Sequence, residues 1–372
     1  MRRSRKTLWQ FALLLLVAAA GCQRRPLELM YRSTVRVIVK CIWEVEAYPE
    51  GMKPTGVTMY FFRDGEYYTS ITTANVDSCE VELGAGHYNM YMISQSPEEY
   101  WRMEFADMTS YDKASTFLRE SEANWATRAV AEEKVVENPE VLCAGVANEF
   151  DITDEMTEEY QYYYTNLTKL KAMSATDTKS KADDITYYEE KVEYYTIRIP
   201  VYPKNIVSQL WVTVYAGNAD VLKSVRASMS GMARTFELTH NVTDKDEAIQ
   251  LINQWSLTMD NETTRVGHID GIITTFGLPN GETPSAVRDS TLNVSTLLID
   301  NVTTADYKFQ VGDKIKIQTP TPGYRNMYRV TFGSVKDPAV KLPDVKPDDA
   351  SKSGMDATVS DWEDGETIEV PM

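Results

Sequence analysis

The sequence predicts a mostly β protein: two tandem antiparallel β-sandwich domains with a few short helices. Three observations carry this. Val35, Val37, Val39, Cys41 and Trp43 alternate with Arg36, Ile38, Lys40, Ile42 and Glu44, and a period of two buries one face of a strand. VTMYFFR at 57–63 and EYYTSIT at 66–72 flank Asp64-Gly65, a pair that accepts the positive φ angles of a type I′ hairpin turn. Short strand-like segments recur after residue 205 with turn residues between them, the spacing of a sandwich. At about 150 residues per domain, 372 residues suggest two.

The chain opens differently. RRSRK at 2–6 precedes the apolar run TLWQFALLLLVAAA at 7–20, the layout of a secretory signal peptide. The run is shorter than the ~20 apolar residues that span a bilayer. It ends in Ala19-Ala20-Gly21-Cys22, and small residues directly before a cysteine resemble the bacterial lipobox. That resemblance implies a signal peptide over 1–21, acyl chains on Cys22 and a tether over 22–31. Each acyl chain adds ~0.8 kcal/mol per buried CH₂, so several together anchor a protein durably.

The N-terminal domain is expected over 32–203. Cys79 to Leu83, Gly84-Ala85-Gly86 and His87 to Ile93 extend the early strands into a meander, with Gly84–Gly86 as a tight hairpin loop. Residues 124–138 look helical or loop-like. Residues 151–195 are dense in Asp, Glu and Tyr, and the Thr/Lys/Ser/Ala-rich stretch 168–182 within them looks like an exposed insertion or a loop between paired strands. Pro200 and Pro203 mark the junction with a C-terminal domain over 204–372. There Leu210, Val212 and Val214 alternate. Asn218 can cap a helix with Val221, Val225 and Met229 on one face and Gly231 as its stop. Strands are expected at 234–239, 253–259, 268–276, 291–299, 307–317 and 326–333, then a Pro/Asp-rich tail and a terminal strand at 367–372.

Composition excludes several functions. The formal charge is −17, and residues 1–22 hold four basic residues and no acid, so the remainder is more acidic still. Such a surface repels phosphates, which argues against nucleic acid and against a polybasic membrane patch. Gly84–Gly86 has no third glycine before a helix, so it is no dinucleotide fingerprint. Ser230-Gly231 lacks the upstream glycine of a nucleophile elbow. His87, His240 and His268 share no ligand spacing. The acidic run Asp151, Asp154, Glu155, Glu158, Glu159 lacks the glycine of an EF-hand, and the group Asp361, Glu363, Asp364, Glu366 reads the same way. The expectation is a chain with no cofactor, no metal and no enzymatic activity.

Two residue sets stay open. Cys41, Cys79 and Cys143 are either small buried hydrophobes or hold at most one disulfide. Tyr160, Tyr162, Tyr163, Tyr164, Tyr187, Tyr188, Tyr194 and Tyr195 are either strand packing or a surface for sugar or protein.

The order of several segments resembles one family. VRVIVKCIWE, Pro49-Glu50-Gly51-Met52, VTMYFFRDG, VELGAGHYNMYMIS, ADVLKSVRASMSGMA, TTFGLPNG, VTTADYKFQVGDKIKI and DATVSDWEDGETIEVPM are similar to a Bacteroidetes lipoprotein family of the fimbrillin-like superfamily. The resemblance implies transthyretin-like sandwiches, outer-membrane location by lipid, and a role as an anchor, assembly or adhesion subunit of type V pili. It implies fimbrial subunits as partners by strand exchange. Polymerising pilins of that superfamily lose a pro-segment at an arginine, which opens a groove for a neighbour's strand. Here a cut at Arg24, Arg25 or Arg32 would remove no strand, so an anchor or accessory subunit is expected. The alternative is an envelope lipoprotein that binds glycan or host protein through its tyrosines.

Overall fold

The computed structural model describes residues 33–43, 53–121, 135–172, 181–252, 254–282, 290–320 and 323–347. The first strands are β1 (Thr34–Cys41), β2 (Val57–Arg63), β3 (Glu66–Thr73), β4 (Ser78–Gly84) and β5 (Gly86–Ser94). The Asp64-Gly65 turn joins β2 to β3 with φ of 52° and 83°, as the dipeptide requires. The expected single meander does not form. β4 pairs with β1 while β5 pairs with β2, so the chain changes sheets at Gly84–Gly86. That segment is a corner between layers, not a hairpin loop. A Cβ on Gly86 would meet the Arg63 side chain at 2.5 Å, so the close passage demands glycine.

Next come β6 (Met103–Ala106), β7 (Ser115–Leu118), β8 (Val135–Val136), β9 (Cys143–Val146) and β10 (Phe150–Ile152). Helices α1 (Asp154–Lys171) and α2 (Ala182–Tyr195) follow, then β11 (Ile197–Val201) and β12 (Lys204–Asn205). One sheet has the order β11-β1-β4, with β11 parallel to β1. The second runs β12-β9-β5-β2-β3, with β10 also on β5. Between them Val35, Val37 and Val39 pack with Met59, Phe61, Met90 and Met92.

The chain continues through β13 (Ser208–Gly217), β14 (Leu222–Ala233), β15 (Thr235–Glu237), β16 (Val242–Thr243), β17 (Glu247–Ile252), β18 (Gln254–Asn261) and β19 (Val266–Thr275). It ends in β20 (Thr291–Leu298), β21 (Thr304–Gln310), β22 (Lys316–Gln318), β23 (Met327–Phe332) and β24 (Val340–Lys341). The sheets β18-β19-β13-β23-β22 and β21-β20-β14-β17-β8 enclose Leu210, Val212, Val214, Met229, Leu292 and Val330.

A third core joins the halves. β7 pairs with β15, and β8 runs parallel to β17. Tyr60, Phe62, Tyr91 and Ile93, on the far face of β2 and β5, pack with Phe236, Ala248 and Phe276. The second sheet is therefore covered on both faces, which is why VTMYFF is continuously buried instead of alternating.

Three further expectations are corrected. Residues 222–233 form β14, not a helix. A short 3₁₀ turn covers Ala219–Val221, and Asn218 is left-handed at φ 56° with no capping hydrogen bond from its side chain. From Ala227 onward every β14 residue is buried, so the two-residue period vanishes and a helical spacing can be read into it. Gly231 stops no helix. It sits at φ 76° where the β14–β17 register slips by one residue, the geometry of a glycine bulge. Finally, 154–171 and 182–195 are helices, where paired strands on either side of an insertion or loop at 168–182 were expected. Of the stretch 124–138, residues through 134 lie outside the described residues, and Val135–Val136 is a strand.

Candidate functional site

The most distinctive surface is the hairpin of α1 and α2. Thr153 starts α1, its hydroxyl accepting from the Met156 backbone N–H at 3.2 Å. Asp154 and Glu155 stand in the first turn and Lys169 and Lys171 in the last, matching the helix dipole at both ends. Lys171 Nζ lies 2.7 Å from Glu189 of α2, tying the helices together. Tyr160, Leu167 and Val192 turn inward and join the core under β1. These inward residues, with the caps, hold as helix a stretch whose tyrosines and threonines favour strands.

The remaining tyrosines face each other or solvent. Tyr163 stacks on Tyr195 with centroids 5.7 Å apart and meets Tyr188 at 6.1 Å and Tyr187 at 6.3 Å. Tyr160 stacks on Tyr164 at 5.7 Å. Lys191 Nζ lies 5.8–5.9 Å from the centroids of Tyr163, Tyr187 and Tyr194, within cation–π range. Desolvation, reinforced by Tyr187, pushes the Tyr163 phenol up to about 12, so it stays a neutral hydroxyl. Tyr162, Tyr164, Tyr187 and Tyr194 are exposed, Tyr194 at 77%. The eight tyrosines are thus neither strand packing nor uniformly surface. Three-dimensional clustering of two helices assembles them, and exposed rings of this kind suit stacking on a sugar or protein.

The other sequence candidates scatter. Cys22, the lipobox and the tether lie outside the described residues, as do Asp361, Glu363, Asp364, Glu366 and the terminal strand. Cys41, Cys79 and Cys143 are buried thiols outside any disulfide among the described residues. Burial pushes the Cys41 thiol up to about 12 and raises Cys79 as well. Each histidine has its own carboxylates: His87 with Asp151 and Glu149, His240 with Glu237, His268 with Asp260 and Asp270. Among the described residues no group of three or more His, Cys, Asp or Glu is placed to hold a metal ion. No helix among them is long and apolar enough to cross a membrane.

The fold has solved counterparts in Bacteroidetes. A crystal structure of a proposed adhesin from Bacteroides ovatus is 12% identical and superposes with a TM-score of 0.50, covering 84% of this chain and 94% of that one. The fimbrial anchor protein Mfa2 from Porphyromonas gingivalis is 11% identical with a TM-score of 0.44, covering 80% and 90%. A fimbrial assembly protein from Parabacteroides distasonis is 10% identical with a TM-score of 0.34, covering 82% and 93%. At these identities the likeness is one of fold. No curated protein matches the sequence. The sequence model of the family described as "Domain of unknown function (DUF5119)" matches residues 21–253, more than half the chain, and the chain belongs to that family.

Proposed function

We propose that this chain is a lipid-anchored structural protein of the cell envelope, a fimbrial anchor, assembly or adhesion subunit. The observation that carries the reading is the fold: a mostly antiparallel sandwich architecture like that of the Bacteroides ovatus structure, in a chain whose sequence also carries the lipobox-like Ala20-Gly21-Cys22. In this reading Cys22 is acylated and residues 1–21 are removed. Residues 32–203 and 204–372 are the two domains, docked through the third core. The chain sits on the outer membrane and meets other fimbrial subunits by strand exchange. It has no catalytic role.

Fractionation tests this. Blots of outer-membrane and sheared-surface material are run in detergent with and without boiling. The expected result is membrane retention with comigration or a heat-sensitive ladder in the fimbrial fraction. A protein free of membrane and fimbriae alike overturns the reading. N-terminal sequencing of the native protein tests the anchor: a free amine at Pro26 or Ser33 would remove it.

The exposed tyrosines of α1 and α2 favour a second reading, a binding lipoprotein outside any pilus. A glycan microarray separates the two, since an anchor need bind no sugar. Retention of a sugar that Tyr194→Ala abolishes supports the binder.

A further inference from the structure

Among the described residues the long edge strands carry devices against pairing with another chain, and on β3 these are confined to the hairpin end, Glu66 and a bulge at Tyr68. β4 ends the first sheet and presents Glu80 and Glu82, both exposed. β11 ends its other side and carries Arg198 and Pro200. β18 carries Asp260 next to its last residue and has a bulge between Met259 and Asn261. β21 carries Asp306 and Lys308. Charge, proline and bulges are the means by which sheet edges avoid other edges.

β3 has none of these along most of its length. It is the last strand of the second sheet. Tyr67 to Thr73 is seven residues without charge or proline, in a chain of net charge −17. Most of β3 is exposed, with Tyr67 at 40% and Tyr68 at 38%. Its single register irregularity lies near the hairpin end, opposite Phe61 and Phe62. A strand paired on one side only presents alternate backbone N–H and C=O groups outward, and these take another extended strand.

We propose that β3 is a pairing edge for a second copy of this chain, in an antiparallel β3–β3 contact about a twofold axis at Ser70. The register follows from the sequence. Ser70 is the midpoint of the uncharged run. Centring there puts Tyr67 opposite the second copy's Thr73, Tyr68 opposite its Thr72, and Thr69 opposite its Ile71. Glu66 then faces Ala74, so no like charges meet. Aromatic and β-branched residues are favourable cross-strand partners. A twofold contact closes on itself, so it gives a dimer and not a fibre. Among the described edge strands, Tyr67–Thr73 is the longest run without charge or proline, one residue longer than Gln254–Met259 of β18. The contact stands apart from the envelope role, and either can fail without the other.

The test uses the full chain in a non-ionic detergent. Sedimentation velocity over a concentration series is expected to show a monomer–dimer equilibrium. Thr72→Lys, which sets a cation on the edge, is expected to weaken dimerisation by about tenfold. Thr72 also shares a 3.0 Å hydroxyl contact with the buried Thr58, so Thr72→Ala, which removes that contact without adding charge, is the control and should dimerise as the parent does. Ser70→Cys supplies a second measurement, since position 70 faces itself. Under mild oxidation it should form a disulfide-linked dimer that neither the parent nor a Ser110→Cys control forms. A chain that sediments as a monomer at all concentrations, and a Ser70→Cys variant that links no faster than the control, overturn the proposal. So does a dimer indifferent to Thr72→Lys. A masked edge, filled by another segment of the chain, would give the monomer result.

Discussion

The Gln250 side-chain amide donates one hydrogen bond to Asn138 Oδ1 at 3.2 Å and another to the Thr274 carbonyl at 3.2 Å. Asn138 in turn donates to the Leu251 carbonyl at 2.9 Å. Gln250 is fully buried on β17. One amide pair, a buried Gln250 and a half-buried Asn138, thus fastens the segment that follows β8 to a sheet built more than a hundred residues later.

Breaking that pair should be costly. Asn138→Ala leaves a buried amide donor without its partner, a loss of about 1–3 kcal/mol. Urea unfolding is expected to show a lower midpoint with an unchanged slope. An Asn138→Ala variant as stable as the parent would mean the segment is held by β8 alone.

Phe61 and Phe62 are adjacent, and both are buried at 0% and 1%. They serve different cores, Phe61 the first sandwich and Phe62 the one that joins the halves. Each substitution to alanine should cost about 3–5 kcal/mol. A sheet with one solvent face would lose stability at only one of them. Equilibrium denaturation of the two variants decides it.

Two glycines with positive φ should respond differently to alanine. Gly65 has nothing within 4 Å of a Cβ, so Gly65→Ala costs only the left-handed strain, about 1 kcal/mol. A Cβ on Gly231 would lie 1.7 Å from Ser290 Oγ, so Gly231→Ala adds a clash to the same strain. Thermal unfolding should rank Gly231→Ala clearly below Gly65→Ala, and the reverse order would exclude the bulge.

Cys41, Cys79 and Cys143 should resist thiol reagents in the folded protein. All three are buried, and burial holds the Cys41 thiol at about 12, so almost no thiolate forms at neutral pH. Titration with a chromogenic disulfide should find them silent until denaturant is added. Reaction in the native state would contradict this packing.

His87 should titrate above its ordinary value of 6.5, chiefly through its hydrogen bond to Asp151 at 2.7 Å. The sign follows from linkage. A raised folded value means His87 adds stability below the unfolded value, and that addition is lost as pH rises through the folded value. Two-dimensional ¹H–¹³C spectra recorded against pH should show the raised midpoint. Asp151→Asn should bring it down, and an unmoved midpoint would sink the assignment to Asp151.

Much of the fold was legible in the sequence. Val35 to Cys41 and Leu210 to Val214 kept a clean two-residue period because each has one face toward a core and one toward neighbours or water. Asp64-Gly65 announced its turn because few other pairs accept two positive φ angles. β14 was misread because burial on both faces erased its period. The tyrosine stretch was misread because local propensity favoured strands, while Thr153, the Lys171–Glu189 pair and the buried Tyr160 and Leu167 favoured helices. As a result the aromatic cluster, the most distinctive surface here, was visible in composition but not in shape.

By itself the sequence determined the secondary-structure class, the hairpin turn, the acidic balance and the lipobox-like start, since each depends on residues close together in the chain. Only the tertiary structure decided that β4 and β5 part into different sheets, that Val135–Val136 belong to a sheet of the C-terminal half, and that β3 lies at a sheet edge. Those outcomes depend on which strands, distant in sequence, bury each other's faces and satisfy each other's backbone. No local pattern encodes that choice, because many partners offer the same alternation of apolar and polar residues.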